Sequence, residues 1–432
     1  MQKLKLEKLT TAQGSVTLPG SKSLTNRALL LAALSSGTTT LSGVLRSDDT
    51  ARMLEALQAL GVTLKVQGDT VSVQGMAGGF KPAAAQSEGK PLELFLGNAG
   101  TAMRPLCAAL AFSEGSFVLT GEPRMLQRPI GPLAEALKSL GCDIEYLNND
   151  GYPPLAIKGS VPSAHEVSIS GATSSQFITA LLMAAPLAGG LKLKVEGELI
   201  SKPYAAMTVR LMQRFGAEVK REGWRSFAVG SKGYVSPGSF VVEGDASAAT
   251  YFLAAGAVAG SVTVKGLGRD SVQGDAHFAD VLAKMGAQVQ WGDNEVTCSK
   301  PVSGRLHGIE IDMNDMPDAA MTLVPLALYT DSPVVVTNIA SWRVKETDRI
   351  LAMATEMRKL GVKVESGADY IAVDASVRED GMELPCFDTY NDHRMAMAMS
   401  LAAFDRAVEI NDPDCTSKTF PGYFAQFAKI CS

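Results

Sequence analysis

The chain has 432 residues, 46% of them hydrophobic and 20% charged, an ordinary globular composition at a length that suggests two or three domains. Forty Lys and Arg against 45 Asp and Glu leave a net charge of −5, which argues against a general nucleic-acid binder but leaves room for a local basic pocket that takes a small anion. No apolar run reaches membrane-span length, the start has no signal-peptide stretch, and six scattered Cys and four His form no CxxC or HxxxH pair, so the expectation is a reduced, cytoplasmic protein with no metal site, no disulfide framework and no membrane association.

The first 19 residues read as a strand pair, and two patterns then alternate. In one, a polar loop of small residues opens an apolar, Ala-rich helix. It begins near Gly20, Gly97, Gly171, Gly244, Asn314 and Asn391, at intervals of 77, 74, 73, 70 and 77. In the other, an amphipathic helix ends at a Gly and a short strand follows, as in Met53–Val66, Leu133–Tyr146, Val209–Lys220, Phe278–Gln290 and Ala352–Glu365. The glycines are Gly61, Gly141, Gly216, Gly286 and Gly361, spaced 80, 75, 70 and 75 apart. Each follows the last apolar helical residue, where a left-handed C-cap is wanted. Helix-Gly-strand alone recurs by chance, but two interleaved patterns holding one period mark a repeat.

Each unit reads as βαβαββ, and six units in 432 residues give 72 residues each. One helix of each unit is apolar all round and therefore buried, while the other is amphipathic and lies outside. The expected fold is α/β, with two domains of three repeat units each and the buried helices inside sheets. The sixth unit is short, and the N-terminal arm is expected to complete its sheet. One domain then comprises 1–20 with 245–432 and the other 21–244, with short crossings between them.

The loops before the apolar helices carry the chemistry. They hold Lys22, Ser23, Asn26 and Arg27; Asn98, Thr101 and Arg104; Thr173, Ser174, Ser175 and Gln176; Asp245 and Ser247; Asn314 and Asp318; and Asp392, His393 and Arg394. N-capping accounts for the hydroxyls, amides and acids, and Thr173 with Gln176 fits a capping box. It does not account for Lys22, Arg27, Arg104 and Arg394, because a cation is disfavoured at the positive end of a helix unless an anion is shared there. A helix end contributes about 0.3–1 kcal/mol toward a nearby charge, and a hydrogen bond to a charged group about 1.5–3 kcal/mol. Lys and Arg must therefore do most of the binding of a multiply charged ligand. More cations lie in GEPRMLQRPI, with Arg124 and Arg128, in SWRVKETDR, and at Lys418. If SWRVKETDR began a helix, Lys345 and Arg349 would be a like-charged i,i+4 pair, which suits a bound phosphate better than a bare surface. There is no GxxxxGK[ST], no GxGxxG after a strand and no GxSxG, which disfavours a nucleotide-driven kinase, a dehydrogenase and a serine hydrolase.

The stretches LPGSKSLTNRALLLAAL, LFLGNAGTAMRPL, GEPRMLQRPI, SSQFITALLMAAPLA, SKPY, PDAAMT, WRVKETDR, YNDHRMAM and KTFPGYF together resemble the 5-enolpyruvylshikimate-3-phosphate (EPSP) synthase family, in family order and over nearly the whole chain. The resemblance implies transfer of the enolpyruvyl group of phosphoenolpyruvate to the 5-hydroxyl of shikimate 3-phosphate, by addition and elimination through a tetrahedral intermediate, with no cofactor. It implies that Lys22, Ser23, Arg27, Ser174, Ser175, Gln176, Ser201, Tyr204, Asp318, Ser341 and Lys345 hold shikimate 3-phosphate. Lys22, Gly100, Arg104, Arg128, Arg349, Arg394 and Lys418 are the expected phosphoenolpyruvate ligands. Asp318 is the expected base for the 5-hydroxyl, kept ionised by opening a helix. Glu346 is the expected group for the methylene proton, with Lys22 and His393 as helpers. These residues fall in both domains, so the expected site lies in the cleft between them. Many family members carry Asn where Ser341 stands, which weakens a substrate contact there.

The sequence Gly100-Thr101 with Pro105 after Arg104 resembles glyphosate-binding members, so glyphosate is an expected inhibitor competing with phosphoenolpyruvate. A monomer is the default, since no apolar dimer face shows in the pattern. The nearest alternative is a UDP-N-acetylglucosamine enolpyruvyl transferase, which shares the fold and donor but usually carries a reactive Cys in its mobile loop; the Pro123–Pro129 loop has none. A six-unit DNA clamp is a more distant alternative and needs a broad basic surface rather than cations confined to loops.

Overall fold

A computed structural model of the chain describes residues 2–82, 90–379 and 381–432. Two compact units emerge: a continuous one, Gly20–Val242, and a discontinuous one, Met1–Pro19 with Glu243–Ser432.

The second repeat shows the plan most plainly. The strands Leu92–Phe95 and Ser116–Thr120 are parallel, so a crossover must join them, and the helix Gly100–Ala111 (α3) is that crossover. The amphipathic helix Gly131–Ser139 (α4) follows, and the antiparallel strands Asp143–Tyr146 and Leu155–Lys158 close the sheet. The other apolar helices are Lys22–Leu34 (α1), Ser175–Ala184 (α5), Ala246–Ala259 (α7), Ala320–Leu326 (α9) and His393–Met399 (α11). The other amphipathic ones are Asp48–Ala59 (α2), Lys202–Arg214 (α6), Phe278–Lys284 (α8) and Arg349–Arg358 (α10), with Tyr423–Ile430 (α12) ending the chain. Among the described residues the sheets number five of four strands and one of three.

The apolar helices are the cores of the units. Every residue of α9 and α11 is buried, as is every residue of α1 but Ser23 and of α3 but Thr101. In the continuous unit α3 packs on both α1 and α5, and in the discontinuous unit α9 packs on both α7 and α11. The chain follows the expected α/β repeat because each apolar helix has no polar face to offer water. The five repeat glycines all adopt φ between +75° and +97°, a backbone that side chains other than Gly resist.

The N-terminal arm divides where a strand pair is expected. Lys3–Leu6 pairs antiparallel with Val408–Asn411 and completes the last sheet, but Ala12–Thr17 pairs in parallel with Gly260–Lys265 in the sheet of the fourth repeat. Ser239–Val241 likewise supplies the missing first strand to the first repeat, beside Thr38–Ser42. Each unit closes its own ring of repeats with a strand from its far end. No helix among the described residues is long and apolar enough to cross a membrane.

Candidate active site

The continuous unit draws its cations to the N-termini of its buried helices. Lys22 is the first residue of α1, and Ser21 caps that helix by accepting from the Leu24 N–H. The buried Lys22 Nζ lies 3.1 Å from Oδ2 of Asp49, in the first turn of α2. One turn further along α1, Arg27 donates from Nε to Thr208 Oγ1 at 2.8 Å and from Nη1 to the Ser23 carbonyl at 3.0 Å. Burial draws the Arg27 guanidinium down to about 10, against the opposing pull of Tyr204. The Thr208 hydroxyl donates to the Tyr204 carbonyl at 2.8 Å, so one face of α6 carries both Tyr204 and the anchor of Arg27.

Arg104 and Arg128 converge at the start of α3. Arg104 donates from Nη2 to the Pro129 carbonyl at 2.8 Å, and Arg128 from Nη1 to Oδ1 and O of Asn98 at 2.8 and 3.0 Å. Gly100 lies between the two guanidinia, where a Cβ would stand 2.9 Å from Arg128 Nη2 and 3.0 Å from Arg104 Nη1. Two buried guanidinia beside the first N–H groups of a helix form a place for an anion. Nearby in sequence, Ser174 caps α5 by accepting from the Gln176 N–H at 3.2 Å, in place of the box expected from Thr173. Ser175 is buried on the same helix, and Ser201 sits buried and left-handed, with φ of 53°, at the head of α6.

The discontinuous unit builds a charge network around two groups. Asp318 meets three cations: Arg349 Nη1 at 2.8 Å, Arg394 Nη2 at 3.0 Å and Lys345 Nζ at 3.6 Å. Arg349, almost wholly buried, meets three carboxylates: Asp392 at 2.7 Å, Asp318, and Glu346 at 2.9 Å. Lys418 Nζ stands 3.8 Å from Glu346. The surroundings fix the parts in place. The buried Trp342 donates from Nε1 to the Pro317 carbonyl at 2.6 Å, immediately before Asp318. Phe420 and Tyr423, just after Lys418, pack against Phe252 of α7. Asp392 caps α11 by accepting from the Arg394 N–H at 2.9 Å, and Arg394 Nη1 lies 3.5 Å from the Tyr251 hydroxyl.

Burial opposes ionisation of Asp318, but Arg394, Lys345 and Arg349 outweigh it and hold the carboxyl well below its usual range. Burial likewise opposes the charge on Arg349, and Asp392, Glu346 and Asp318 override it, raising the guanidinium further. The helix start plays no such part, because α9 begins at Ala320 and is capped at Ala319, so three cations keep Asp318 charged. The Lys345–Arg349 pairing on one helix is also absent: α10 begins at Arg349, and Lys345 lies in the turn before it. Arg343 of the same motif faces outward, donating to Asp348 at 2.7 Å and to the Ala368 carbonyl at 3.0 Å. Ser341 is half-buried on a short 3-10 turn. His393 is fully buried, with Nδ1 3.6 Å from Asp392 Oδ1.

Three partners escape a reading of the sequence for site residues. Asp49 looks like a routine first-turn acid in SDDT, and Asp392 like a cap; their ion pairs with Lys22 and Arg349 are tertiary. Asp275 is the third. It is buried, its Oδ2 accepts from the Ser247 hydroxyl, and its Oδ1 has no partner. Burial pushes its carboxyl up to about 7, with Asp318 adding to the rise and Ser247 and Arg394 opposing it. A carboxyl raised on folding keeps its proton in the native state after the unfolded chain has lost it. Its contribution therefore falls as pH rises from about 4 to about 7. Asp275→Asn is expected to nearly match the parent at pH 4 and to exceed it by on the order of 4 kcal/mol at pH 8, as measured by urea unfolding at the two pH values.

Among the described residues no group of three or more His, Cys, Asp or Glu is placed to hold a metal ion. All six Cys are free. Burial raises the Cys107 thiol to about 12 and the Cys142 thiol to about 11, which makes both poor nucleophiles.

The family model described as EPSP synthase (3-phosphoshikimate 1-carboxyvinyltransferase) matches residues 6–427. The chain is 52% identical over 435 residues to the 3-phosphoshikimate 1-carboxyvinyltransferase of Aeromonas salmonicida, covering 100% of this chain and 99% of the relative. It is 52% identical over 436 residues to that of Shewanella denitrificans, with the same coverage. Among solved structures, an EPSP synthase from Acinetobacter baumannii superposes with a TM-score of 0.81 at 23% identity, covering 100% of this chain and 98% of that one. The enolpyruvyl transferase NikO from Streptomyces tendae superposes with a TM-score of 0.76 at 17% identity, covering 99% and 97%; at such identities the two structures speak for the fold. On the family match and the full-length relatives together, the chain belongs to the EPSP synthase (3-phosphoshikimate 1-carboxyvinyltransferase) family.

Proposed function

We propose that the chain transfers the enolpyruvyl group of phosphoenolpyruvate to the 5-hydroxyl of shikimate 3-phosphate and releases phosphate, a step of aromatic amino acid biosynthesis. The observation that carries this reading is an ionised Asp318 gripped by Arg349, Arg394 and Lys345, in a member of this family. Two polyanionic substrates require cations that a protein of net charge −5 must concentrate locally.

In the reaction, the 5-hydroxyl oxygen attacks C2 of phosphoenolpyruvate and its proton passes to Asp318. A proton delivered to C3 turns the methylene into a methyl group and gives the tetrahedral ketal phosphate. Loss of a methyl proton then breaks the C2–O bond, and phosphate leaves with the bridging oxygen. Arg104, Arg128, Arg349, Arg394, Lys418 and Lys22, with the backbone at Gly100, take phosphoenolpyruvate. Arg27, Ser23, Ser174, Ser175, Gln176, Ser201, Tyr204 and Lys345 take shikimate 3-phosphate, with Ser341 at the margin. Glu346 handles the methylene proton, helped by Lys22 and His393.

Electrostatics give the order of events a reason. Held by three cations, Asp318 is too weak a base for an alcohol. A substrate anion that binds Arg349 and Arg394 competes for the groups that depress it, and its basicity rises when both substrates are present. The test is phosphate release from phosphoenolpyruvate with shikimate 3-phosphate or with UDP-N-acetylglucosamine as acceptor. Release with shikimate 3-phosphate alone supports the reading, and release with UDP-N-acetylglucosamine alone overturns it. The raised Cys107 and Cys142 thiols favour the first outcome.

Glyphosate, a carboxylate–phosphonate anion slightly longer than phosphoenolpyruvate, competes for the same cations. The added methyl of Gly100→Ala would press on both guanidinia at 2.9–3.0 Å. This variant is expected to raise the KM for phosphoenolpyruvate by about tenfold and the inhibition constant for glyphosate by more, with the KM for shikimate 3-phosphate little changed. Steady-state kinetics against each substrate check it. The enzyme acts as a cytoplasmic monomer, without nucleic-acid or membrane partners.

A further inference from the structure

Helix α10 holds more of the discontinuous unit's charge network than its first residue. Arg349 opens the helix and grips Asp392 through Nε at 2.7 Å and Nη2 at 3.3 Å. Seven residues on, Glu356 sits on the same face, roughly 10 Å along the axis. Glu356 is fully buried. Its Oε1 accepts from the Tyr390 hydroxyl at 2.7 Å and its Oε2 from the Asp388 N–H at 3.0 Å, and Lys359 Nζ lies 2.6 Å from the same Oε2. Lys359 in turn donates to the Cys386 carbonyl at 2.7 Å. One helix therefore holds the segment 386–394 at both ends.

That segment needs holding. Tyr390 and Asn391 both adopt φ of 54°, a backbone region that Asn tolerates but that a bulky side chain such as Tyr disfavours. Such a turn persists only where its surroundings over-determine it. It delivers Asp392, His393 and Arg394 directly. Asp392 is fully buried, and its carboxylate both caps α11 and meets Arg349. Tyr390 itself is 40% exposed, so its ring adds little to the core, and its hydroxyl is the part that Glu356 retains. Besides its ion pair with Lys359 on the same helix, the buried Glu356 carboxylate spends its hydrogen bonds on the Tyr390 hydroxyl and the Asp388 N–H, both in this segment.

We propose that Glu356 and Tyr390 are positioning residues: from the far end of α10 they clasp the left-handed Tyr390–Asn391 turn, fix where Asp392 and Arg394 stand, and so set the affinity for the anionic donor substrate. The link to the donor rests on the assignment of Arg349 and Arg394 to phosphoenolpyruvate made above; the clasp itself rests on geometry alone. With the clasp lost, Arg394 samples other positions while the acceptor-binding groups of the continuous unit are untouched. The expected signature is a KM change for one substrate and a small change in kcat.

Two readouts on Tyr390→Phe, Glu356→Gln and Arg394→Ala test this and separate its two parts. The first is amide hydrogen exchange of the 388–395 segment in the full-length protein, expected to quicken by about tenfold in Tyr390→Phe and Glu356→Gln. Unchanged exchange in Tyr390→Phe overturns the clasp, whatever the substrate. The second is steady-state kinetics, where Tyr390→Phe is expected to raise the KM for phosphoenolpyruvate about tenfold, with kcat and the KM for shikimate 3-phosphate within about threefold of the parent. Faster exchange with an unchanged KM in Tyr390→Phe, while Arg394→Ala raises it, removes the positioning role. Faster exchange with neither variant moving the KM indicts the assignment of Arg394 to the donor instead. Tyr390→Phe deletes one half-exposed hydroxyl, so it is the variant to rely on if Glu356→Gln fails to fold.

Discussion

Asp318→Asn is expected to lower kcat by about a hundred- to ten-thousandfold, the usual contribution of a positioned proton acceptor. The substitution keeps the shape and removes the charge. Arg349 retains Asp392 and Glu346, so the fold should survive. Arg394, whose Nη2 meets Asp318 at 3.0 Å, loses a competing anion. The KM for phosphoenolpyruvate should therefore stay level or fall even as kcat collapses. A residue that merely bound substrate would show the reverse, a raised KM with kcat preserved. Steady-state kinetics decide between these patterns, and a kcat within tenfold of the parent removes Asp318 from proton transfer. The pH profile adds a check. Because the carboxyl lies well below its ordinary value of 3.8, its own titration should leave no acid limb in the free-enzyme profile between pH 5 and 8.

Arg349→Met carries the largest expected cost in stability. The side chain is 1% exposed and neutralises three carboxylates. Methionine fills much of the volume but leaves Asp318, Glu346 and Asp392 close together with one cation fewer. Breaking a buried pair in this way costs about 3–5 kcal/mol, or on the order of 10 °C in Tm for a unit of this size. The sign of its pH dependence follows from the same charges. The carboxylates left behind have raised affinities for protons, so the variant's native state gains protons that its unfolded state lacks. Its deficit should therefore shrink as pH falls from 8 toward 5. Thermal unfolding at both pH values tests this; a Tm within about 2 °C of the parent at pH 8 means that the network is not what holds this part of the fold.

The repeat was legible because its signals are local. Gly61, Gly141, Gly216, Gly286 and Gly361 each end a helix and each adopts a positive φ, which depends on neighbours in sequence alone. The apolar helices announced their burial by having no polar face. Lys22, Arg104 and Arg394 stood out because a cation at a helix N-terminus contradicts the helix dipole. Their acidic partners did not stand out, since Asp49 and Asp392 sit where acids are ordinary. Nor could the sequence say that Ala12–Thr17 joins Gly260–Lys265 rather than its neighbour Lys3–Leu6, because both pairings satisfy the same strand pattern. The left-handed backbone of Asn391 suits an Asn, but that of Tyr390 has no local cause. Its anchor, Glu356, lies 34 residues away, on a helix face that reads as routine amphipathic surface.

Enolpyruvyl transfer by attack at carbon cleaves the C–O bond of phosphoenolpyruvate, whereas phosphoryl chemistry cleaves P–O. Phosphoenolpyruvate carrying oxygen-18 in the C–O–P bridge, mixed with the enzyme and shikimate 3-phosphate in deuterated water, separates the two. The expected result is inorganic phosphate that carries the label, released only when shikimate 3-phosphate is present, with deuterium appearing in the methylene of the product. Phosphate without the label, or release that ignores shikimate 3-phosphate, would mean that the cations around Asp318 serve a different reaction.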